Sequence, residues 1–145
     1  MRFWDSSAII PLLVDEPPSA GVRAVHAEDI EMVAWWGTEV ESVSALARLE
    51  REERLTPSAF NDAIDRLDDL AAGWLEIQPG PRLRRTAIRL LRVHPLRAGD
   101  ALQLSAAIAA AEDHPETLPF VTLDRRLGSA AGREGFSVLP SEPIR

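Results

Sequence analysis

Four carboxylate residues stand where a predicted strand ends or a predicted helix begins. Asp5 follows the strand-like segment RFW, and Asp124 ends the strand-like segment PFVTLD. Glu41 and Asp100 lie in the first turns of two predicted helices. The carboxyl ends of parallel strands share one edge of a sheet with the amino ends of the helices that follow them, so we expect these four side chains to converge there.

Converging carboxylates need a cation, because their mutual repulsion raises their pKa values. Carboxylate oxygens suit Mg²⁺ or Mn²⁺, hard divalent ions that keep several waters and also bind phosphate oxygens. Such an ion lowers the pKa of a bound water and stabilises negative charge on a phosphodiester. The pattern of acids therefore predicts metal-assisted hydrolysis.

Each of these acids also has a simpler interpretation as a helix-capping or turn residue. Asp5 and Asp100 can cap their helices or complement the helix dipole. Glu41 can complete a capping box, and Asp124 can open the loop before RRL. The recurrence of an acid at four junctions favours the metal site, and helix capping at the first junction is then assigned chiefly to Ser7.

The residue types that the chain lacks exclude several other kinds of chemistry. It has no cysteine, and all 16 basic residues are arginine. This excludes disulfides, thiolate nucleophiles and zinc sites built on cysteine, and it counts against Walker phosphate loops and Schiff-base enzymes. An aspartyl-phosphate phosphatase with Asp5 as nucleophile fails because no lysine is present and Ser7 replaces the second acid. The formal net charge of −7 argues against broad nonspecific nucleic-acid binding but is compatible with a local RNA groove.

Strand-like and helix-like segments alternate along the chain. Short apolar segments predict strands at MRFW, EMVAWW, WLEIQ, PFVTLD and FSVLP. Helices are predicted at 7–14, SAGVRAVHAE, 38–53, TPSAFNDAIDRLDDLAAG, PRLRRTAIRLLRVH, RAGDALQLSAAIAAAEDH and RRLGSAAGREG. Thr38 has the capping-box spacing from Glu41, while Thr56 and Pro57 begin the next helix and Gly73 ends it.

This alternation predicts a single α/β domain over residues 1–145, with a parallel sheet covered by helices on both faces. No apolar run reaches the roughly 18–20 residues of a membrane span. No basic segment precedes an apolar signal core, so we expect a cytoplasmic protein that does not contact membranes.

Four segments carry a resemblance to a known family: FWDSSAII, TEVESVSALAR at 38–48, HPLRAGDALQLSAAI at 94–108 and PFVTLDRRLGSAA at 119–131. In this order and spacing they resemble the PIN-domain ribonucleases, and within them the VapC-type toxins of bacterial toxin–antitoxin pairs. The resemblance implies a PIN-like three-layer α/β/α sandwich with a central parallel sheet. It also implies an Mg²⁺-dependent endoribonuclease that hydrolyses RNA phosphodiesters with a metal-activated water and acts as the toxin of a VapBC-type module.

The resemblance also assigns roles to individual residues. It implies a catalytic acidic cluster made of Asp5, Glu41, Asp100 and Asp124. Asp5 and Asp100 are the expected direct metal ligands, with Glu41 and Asp124 binding directly or through water. Ser6 and Thr122 are expected to hydrogen-bond the carboxylates or the metal's waters. Further implications are that Mn²⁺ substitutes for Mg²⁺, that the substrate is RNA, and that the partners are a cognate VapB-type antitoxin and a second copy of the chain.

Charged residues outside the acidic cluster suggest substrate or partner contacts. Arg97, three residues before Asp100, is a candidate for substrate binding. An arginine stripe with helical spacing is formed by Arg82, Arg85, Arg89 and Arg92. An acidic stripe is formed by Asp62, Asp65 and Asp69. The first can contact RNA phosphates and the second can repel RNA or dock a basic antitoxin segment, but a solvated helix face is the favoured interpretation of both.

The aromatic and histidine residues are less informative. We expect one residue of the pair Trp35 and Trp36 in the core, which leaves the other available to stack on a base. The histidines lack metal-ligand spacing and are expected at the surface or at helix caps; they are His26, His94 and His114. The alternative to an enzyme is a noncatalytic PIN-fold module that binds RNA or protein. The presence of all four acids counts against that alternative.

Overall fold

Strands and helices alternate in the computed structural model, which describes residues 1–141. In this part of the chain the strands are β1 (Arg2–Trp4), β2 (Met32–Trp35), β3 (Leu75–Ile77), β4 (Phe120–Val121) and β5 (Val138–Leu139). The helices are α1 (Ser6–Leu13), α2 (Ser19–Glu28), α3 (Thr38–Arg51), α4 (Pro57–Gly73), α5 (Pro81–Val93), α6 (Ala98–Ala110) and α7 (Arg125–Arg133), with a 3₁₀ turn at Pro115–Thr117. The predicted alternation is confirmed, although β4 and β5 are shorter than the segments PFVTLD and FSVLP.

All neighbouring strands are parallel, in the order β3-β2-β1-β4-β5. The chain runs outward from central β1 to β3 at one edge and then crosses to β4 on the other side of β1. Open parallel sheets bind their ligands at such a reversal, outside the carboxyl ends of the strands. The crevice beyond β1 and β4 is therefore where this fold can place a site.

Alternate residues of the strands face two separate apolar layers. Phe3 and Val33 belong to the core that packs against α5, α6 and α7. Trp4 and Ala34 belong to the core that packs against α1, α2, α3 and α4. Because side chains alternate in direction along a strand, even these short strands supply both cores. The predicted three-layer α/β/α sandwich is confirmed.

Helix starts follow the predicted signals at α4 but not at α3. Thr56 Oγ1 accepts a hydrogen bond of 3.1 Å from the backbone N–H three residues later, and Pro57 is the first helical residue. The predicted capping by Thr38 is wrong: Gly37 is the N-cap of α3, and no described side chain caps it. A Cβ on residue 37 would lie 2.5 Å from Trp35 Nε1, so glycine permits the close turn from β2 into α3.

Helix α6 lies in the centre of one layer and carries the third predicted acid at its start. Ala101, Leu104 and Ala107 are buried in the core on this helix. The helix ends at Ala110, before the predicted end at 114, because the backbone turns left-handed a few residues later, at Glu112 (φ 51°) and Asp113 (φ 64°). Across residues 1–141, no helix combines the length and the apolarity that a membrane crossing requires.

Candidate metal centre

A cavity of about 510 Å³ opens at the carboxyl end of β1, between α1, α3 and the starts of α6 and α7. All four predicted acids line it: Asp5, Glu41, Asp100 and Asp124. Each acid belongs to a different segment of the chain, and the parallel topology brings the segments to one edge. The expected convergence is therefore observed, while the roles of these acids as metal ligands stay predictions.

Asp5 is the most buried of these acids, with 4% of the residue exposed. Its Oδ2 atom accepts hydrogen bonds from Ser7 Oγ at 2.5 Å and from Thr122 Oγ1 at 2.8 Å. Oδ2 also accepts the backbone N–H of Ser7 at 3.3 Å, which makes Asp5 the N-cap of α1. The assignment of capping chiefly to Ser7 is thus wrong, because Asp5 caps the helix and Ser7 holds Asp5.

The other oxygen of Asp5 is less engaged. Oδ1 receives one long contact of 3.4 Å, from Ser6 Oγ. Burial raises the pKa of Asp5 from 3.8 to about 6, and the negative charge of Glu41 adds to that rise. Hydrogen bonds from Ser7 and Thr122 oppose the rise without cancelling it. The cavity thus contains a carboxylate whose charged form a cation would stabilise.

Glu41 lies in the first turn of α3, facing the start of α1. Its Oε2 atom accepts hydrogen bonds from Ser6 Oγ at 2.9 Å and from Gln103 Nε2 at 3.1 Å. Its Oε1 atom lies 3.6 Å from the place where a Cβ on Gly99 would be. One oxygen of Glu41 is therefore held by two donors, and the other lies beside Gly99 at the start of α6.

Asp100, in the first turn of α6, and Asp124, which precedes α7, also line the cavity. Desolvation raises the pKa of the half-buried Asp100, the charge of Asp124 adds to the rise, and the positive charges of Arg97 and Arg126 oppose it. Asp124 is the N-cap of α7, where its Oδ1 accepts the backbone N–H of Leu127 at 3.0 Å. The prediction that Asp124 ends a strand is wrong, because β4 ends at Val121.

This donor set fits a hard divalent cation that is held partly through water. Hydroxyl and amide donors occupy Asp5 Oδ2 and Glu41 Oε2, which leaves one oxygen of each carboxylate for a cation. Among residues 1–141, no three acidic or histidine side chains form a ready-made ligand group. Mg²⁺ binds through one or two carboxylates, several waters and substrate phosphates. The arrangement is compatible with Asp5 and Asp100 as direct ligands and with the other two acids acting through water.

The predicted hydrogen-bonding residues lie at these carboxylates. Ser6 contacts both Asp5 and Glu41, and Thr122 contacts Asp5. Arg97, the predicted substrate-binding residue, is exposed at the N-cap of α6 and does not line the cavity. Its charge nevertheless acts on Asp100.

Sequence reasoning missed three residues of this site. Ser7 was assigned to helix capping, although its position two residues after Asp5 also suits a hydrogen bond to the carboxylate. Gln103 follows Asp100 by three residues, and Arg48 follows Glu41 by seven, so each shares a helix face with an acid. Arg48 lines the cavity together with the acids. For Gln103 and Arg48, the helical spacing from a predicted acid was the signal that could have identified them.

The other predicted features are distributed over the surface and the core. Trp35 is buried, whereas Trp36 is 51% exposed beside the outer face of α3. The acidic stripe on α4 is exposed, as are the arginines of the α5 stripe, of which Arg82 and Arg89 pair with Asp113 and Glu134. These observations agree with solvated helix faces.

One histidine lies at a helix cap, as predicted, but is buried. His94 is the C-cap of α5, and its Nε2 lies 2.7 Å from Glu134 Oε2. His114 is exposed beside Glu116, and His26 meets the ring of Trp4 edge-on. Burial of His94 is explained by its position after the last turn of α5, where it contacts the end of α7.

Two curated relatives from Mycobacterium tuberculosis match nearly the whole chain. They are ribonuclease VapC45 of strain CDC 1551 / Oshkosh and ribonuclease VapC49 of strain ATCC 25618 / H37Rv. Each is 28% identical to this chain over 149 aligned positions, covering 97% of this chain and 95% of the relative. No protein-family model matches the chain.

Solved structures share the fold over most of their length. The M. tuberculosis toxin VapC20, which cleaves the sarcin-ricin loop, has a TM-score of 0.67 at 15% identity, over 94% of this chain and 96% of that one. FitAcB from Neisseria gonorrhoeae has a TM-score of 0.64 at 19% identity, over 95% and 96%. PAE2754 from Pyrobaculum aerophilum has a TM-score of 0.62 at 19% identity, over 94% and 81%. The predicted resemblance to VapC-type PIN-domain ribonucleases is confirmed, and the fold is PIN-like.

Proposed function

We propose that this relative of the VapC ribonucleases is a metal-dependent endoribonuclease that hydrolyses RNA phosphodiesters and acts as the toxin of a toxin–antitoxin module. The observation that carries the proposal is the cavity at the switch point of the sheet, into which four segments bring one carboxylate each. The alignment with two ribonucleases, which covers 97% of the chain at 28% identity, supports the same chemistry.

We propose Mg²⁺ as the cofactor, with Mn²⁺ as a substitute. The residues that would hold it are Asp5 and Asp100 directly, with Glu41 and Asp124 directly or through water. When bound, the cation supplies activation of the attacking water and neutralises negative charge on the phosphodiester. A carboxylate cavity without sulfur or histidine ligands suits this class of cation, because hard ions prefer oxygen.

The chain's own residues prepare the cavity for this chemistry. Ser7 and Thr122 hold Asp5 Oδ2 in one orientation, so that the carboxylate does not turn when the substrate binds. Ser6 links the carboxylates of Asp5 and Glu41. Arg48, on the α3 side of the cavity, can attract an RNA phosphate toward acids that would otherwise repel it.

The proposed protein partners are a cognate VapB-type antitoxin and a second copy of this chain. Support for a protein partner comes from exposed apolar residues beside the site: Trp36, Val40 and Val43, which line a groove adjoining the acidic cavity. A separate set of exposed apolar residues lies on α5: Ile88, Leu91 and Val93. Apolar groups exposed in this density are typical of interfaces. Because the proposed substrate is cellular RNA, the proposal includes a cytoplasmic location.

The test measures cleavage of a mixed RNA substrate by the purified protein with Mg²⁺ or with EDTA. Asp5→Asn and Asp100→Asn should each abolish Mg²⁺-dependent cleavage while leaving the circular dichroism spectrum unchanged. Asp62→Asn is the matched control, since Asp62 is an exposed acid of α4 that does not line the cavity. Cleavage by Asp5→Asn at the rate of the parent would refute the assignment. RNA binding without cleavage, together with no Mn²⁺ binding at millimolar concentration, would instead support a noncatalytic module.

A further inference from the structure

Gln103 is a fully buried polar residue on a helix whose other buried positions are mostly Ala and Leu. Its exposed fraction is 0%, and it lies one turn after Asp100 on α6. A buried amide is unfavourable unless its hydrogen bonds are made, whereas leucine or methionine at this position would fill the same space without that requirement. The reason for an amide at this position therefore lies in the groups to which it is hydrogen-bonded.

The amide nitrogen of Gln103 joins α6 to the first turn of α3. Nε2 donates to Thr38 Oγ1 at 2.9 Å and to Glu41 Oε2 at 3.1 Å. Thr38 is itself fully buried, and Glu41 Oε2 receives a second bond from Ser6. The result is that Glu41 is held from two sides, by α1 and by α6.

The orientation of this amide is determined by Glu41. A carboxylate oxygen accepts hydrogen bonds, so the nitrogen and not the oxygen of the amide faces it. The amide oxygen of Gln103 then points away, and among the described residues it has no hydrogen-bond partner. In this orientation the amide nitrogen donates to Glu41, and the amide oxygen stays without a partner among the described residues.

We propose that Gln103 is a positioning residue for the metal centre, which holds Oε2 of Glu41 so that Oε1 remains beside the start of α6, the helix that carries Asp100. This inference rests on the proposed function and adds to it a residue that touches neither metal nor substrate. The geometry that carries it is the pair of hydrogen bonds on Oε2 together with the closeness of Oε1 to Gly99. Groups that orient metal-binding carboxylates typically change metal affinity by about 10- to 100-fold when removed.

The test compares Mn²⁺ binding by the full chain and by Gln103→Met, using isothermal titration calorimetry. Methionine matches glutamine in size and lacks the donor, so we expect the Kd for Mn²⁺ to rise at least about tenfold. Thermal unfolding in EDTA should show a Tm close to that of the parent, because an unpartnered buried oxygen is removed along with the donor. Gln103→Leu serves as the second variant if Gln103→Met does not fold.

A double-mutant cycle separates positioning from a general structural effect. If Gln103 acts through Glu41, then Gln103→Met should not weaken Mn²⁺ binding further in a Glu41→Gln background. Ser105→Ala is the matched control on α6, because its hydroxyl donates to the carbonyl of Leu83 at 2.6 Å, on the side facing α5. This control should leave the Kd for Mn²⁺ unchanged.

The outcomes distinguish the role of Gln103 from the proposed function of the whole site. A parent that binds Mn²⁺ and a Gln103→Met variant that binds it equally well would overturn the role of Gln103 and leave the proposed function standing. An equal loss of affinity in the parent and Glu41→Gln backgrounds would also overturn it, since Gln103 would then act independently of Glu41. A parent that neither binds Mn²⁺ nor cleaves RNA would overturn both.

Discussion

Replacing Asp5 with asparagine should make the metal-free protein more stable at neutral pH, even though it removes a proposed metal ligand. Asp5 is buried, and its pKa of about 6 lies above the ordinary value of 3.8. As pH rises through this interval, the unfolded chain releases the proton of Asp5 before the folded chain does. The folded state therefore binds more protons, and the Asp5 contribution to the free energy of unfolding falls from about pH 4 to about pH 6.

The size of this effect follows from the difference between the two pKa values. Roughly two pKa units correspond to about 3 kcal/mol of unfolding free energy, reached near pH 7. Asparagine avoids this cost because it stays neutral. Its carbonyl oxygen can accept the hydrogen bonds that Ser7 and Thr122 donate to Asp5 Oδ2, and its amide can face Ser6 in place of Oδ1.

The measurement is urea unfolding followed by tryptophan fluorescence, in EDTA, from pH 4 to pH 7.5. The free energy of unfolding of Asp5→Asn minus that of the parent should rise from near zero at pH 4 to about 2–3 kcal/mol at pH 7.5. The exposed control Asp62→Asn should show no such rise. Adding MgCl₂ should then stabilise the parent but not Asp5→Asn, because ligands stabilise only the state that binds them. A difference that stays flat with pH, or a less stable variant at pH 7.5, would refute the reasoning.

Two further variants test the rim of the site and the contact between the ends of α5 and α7. Arg48→Ala should raise the KM for RNA and lower the salt dependence of RNA binding by about one charge. The affinity for Mn²⁺ should not change. Arg51→Ala is the control, because Arg51 does not line the cavity. Glu134→Ala should cost about 1–3 kcal/mol in urea unfolding, because it leaves buried His94 without the carboxylate. Desolvation raises the pKa of Glu134, but the hydrogen bonds and charges of Arg89 and His94 outweigh it and lower the pKa overall. The contribution of Glu134 to the free energy of unfolding should therefore disappear as pH falls below the usual glutamate range.

The helices and strands could be predicted because the residues that begin and end them lie close together in the sequence. The signals at α4 are contained within a few residues: Thr56 caps the helix, Pro57 opens it, and Gly73 ends it. Strand positions followed from short apolar segments, and their alternation with helices predicted the parallel sheet. At α3 the same reasoning failed, because the packing of the Trp35 side chain against the turn requires Gly37 at the cap, and Thr38 bonds to Gln103 instead.

The order of residues along the chain is enough to predict which acids can meet at the site, because acids placed at strand ends and helix starts reach the same edge of any parallel sheet. The same order does not predict how each carboxylate is held. Whether Ser7 caps a helix or holds Asp5, and whether His94 is exposed or buried against Glu134, depends on contacts between segments distant in the chain. These contacts form only in the folded protein, since burial and hydrogen-bond partners arise when separate elements pack together. The raised pKa of Asp5 and the position of Glu41 Oε1 beside α6 are consequences of that packing.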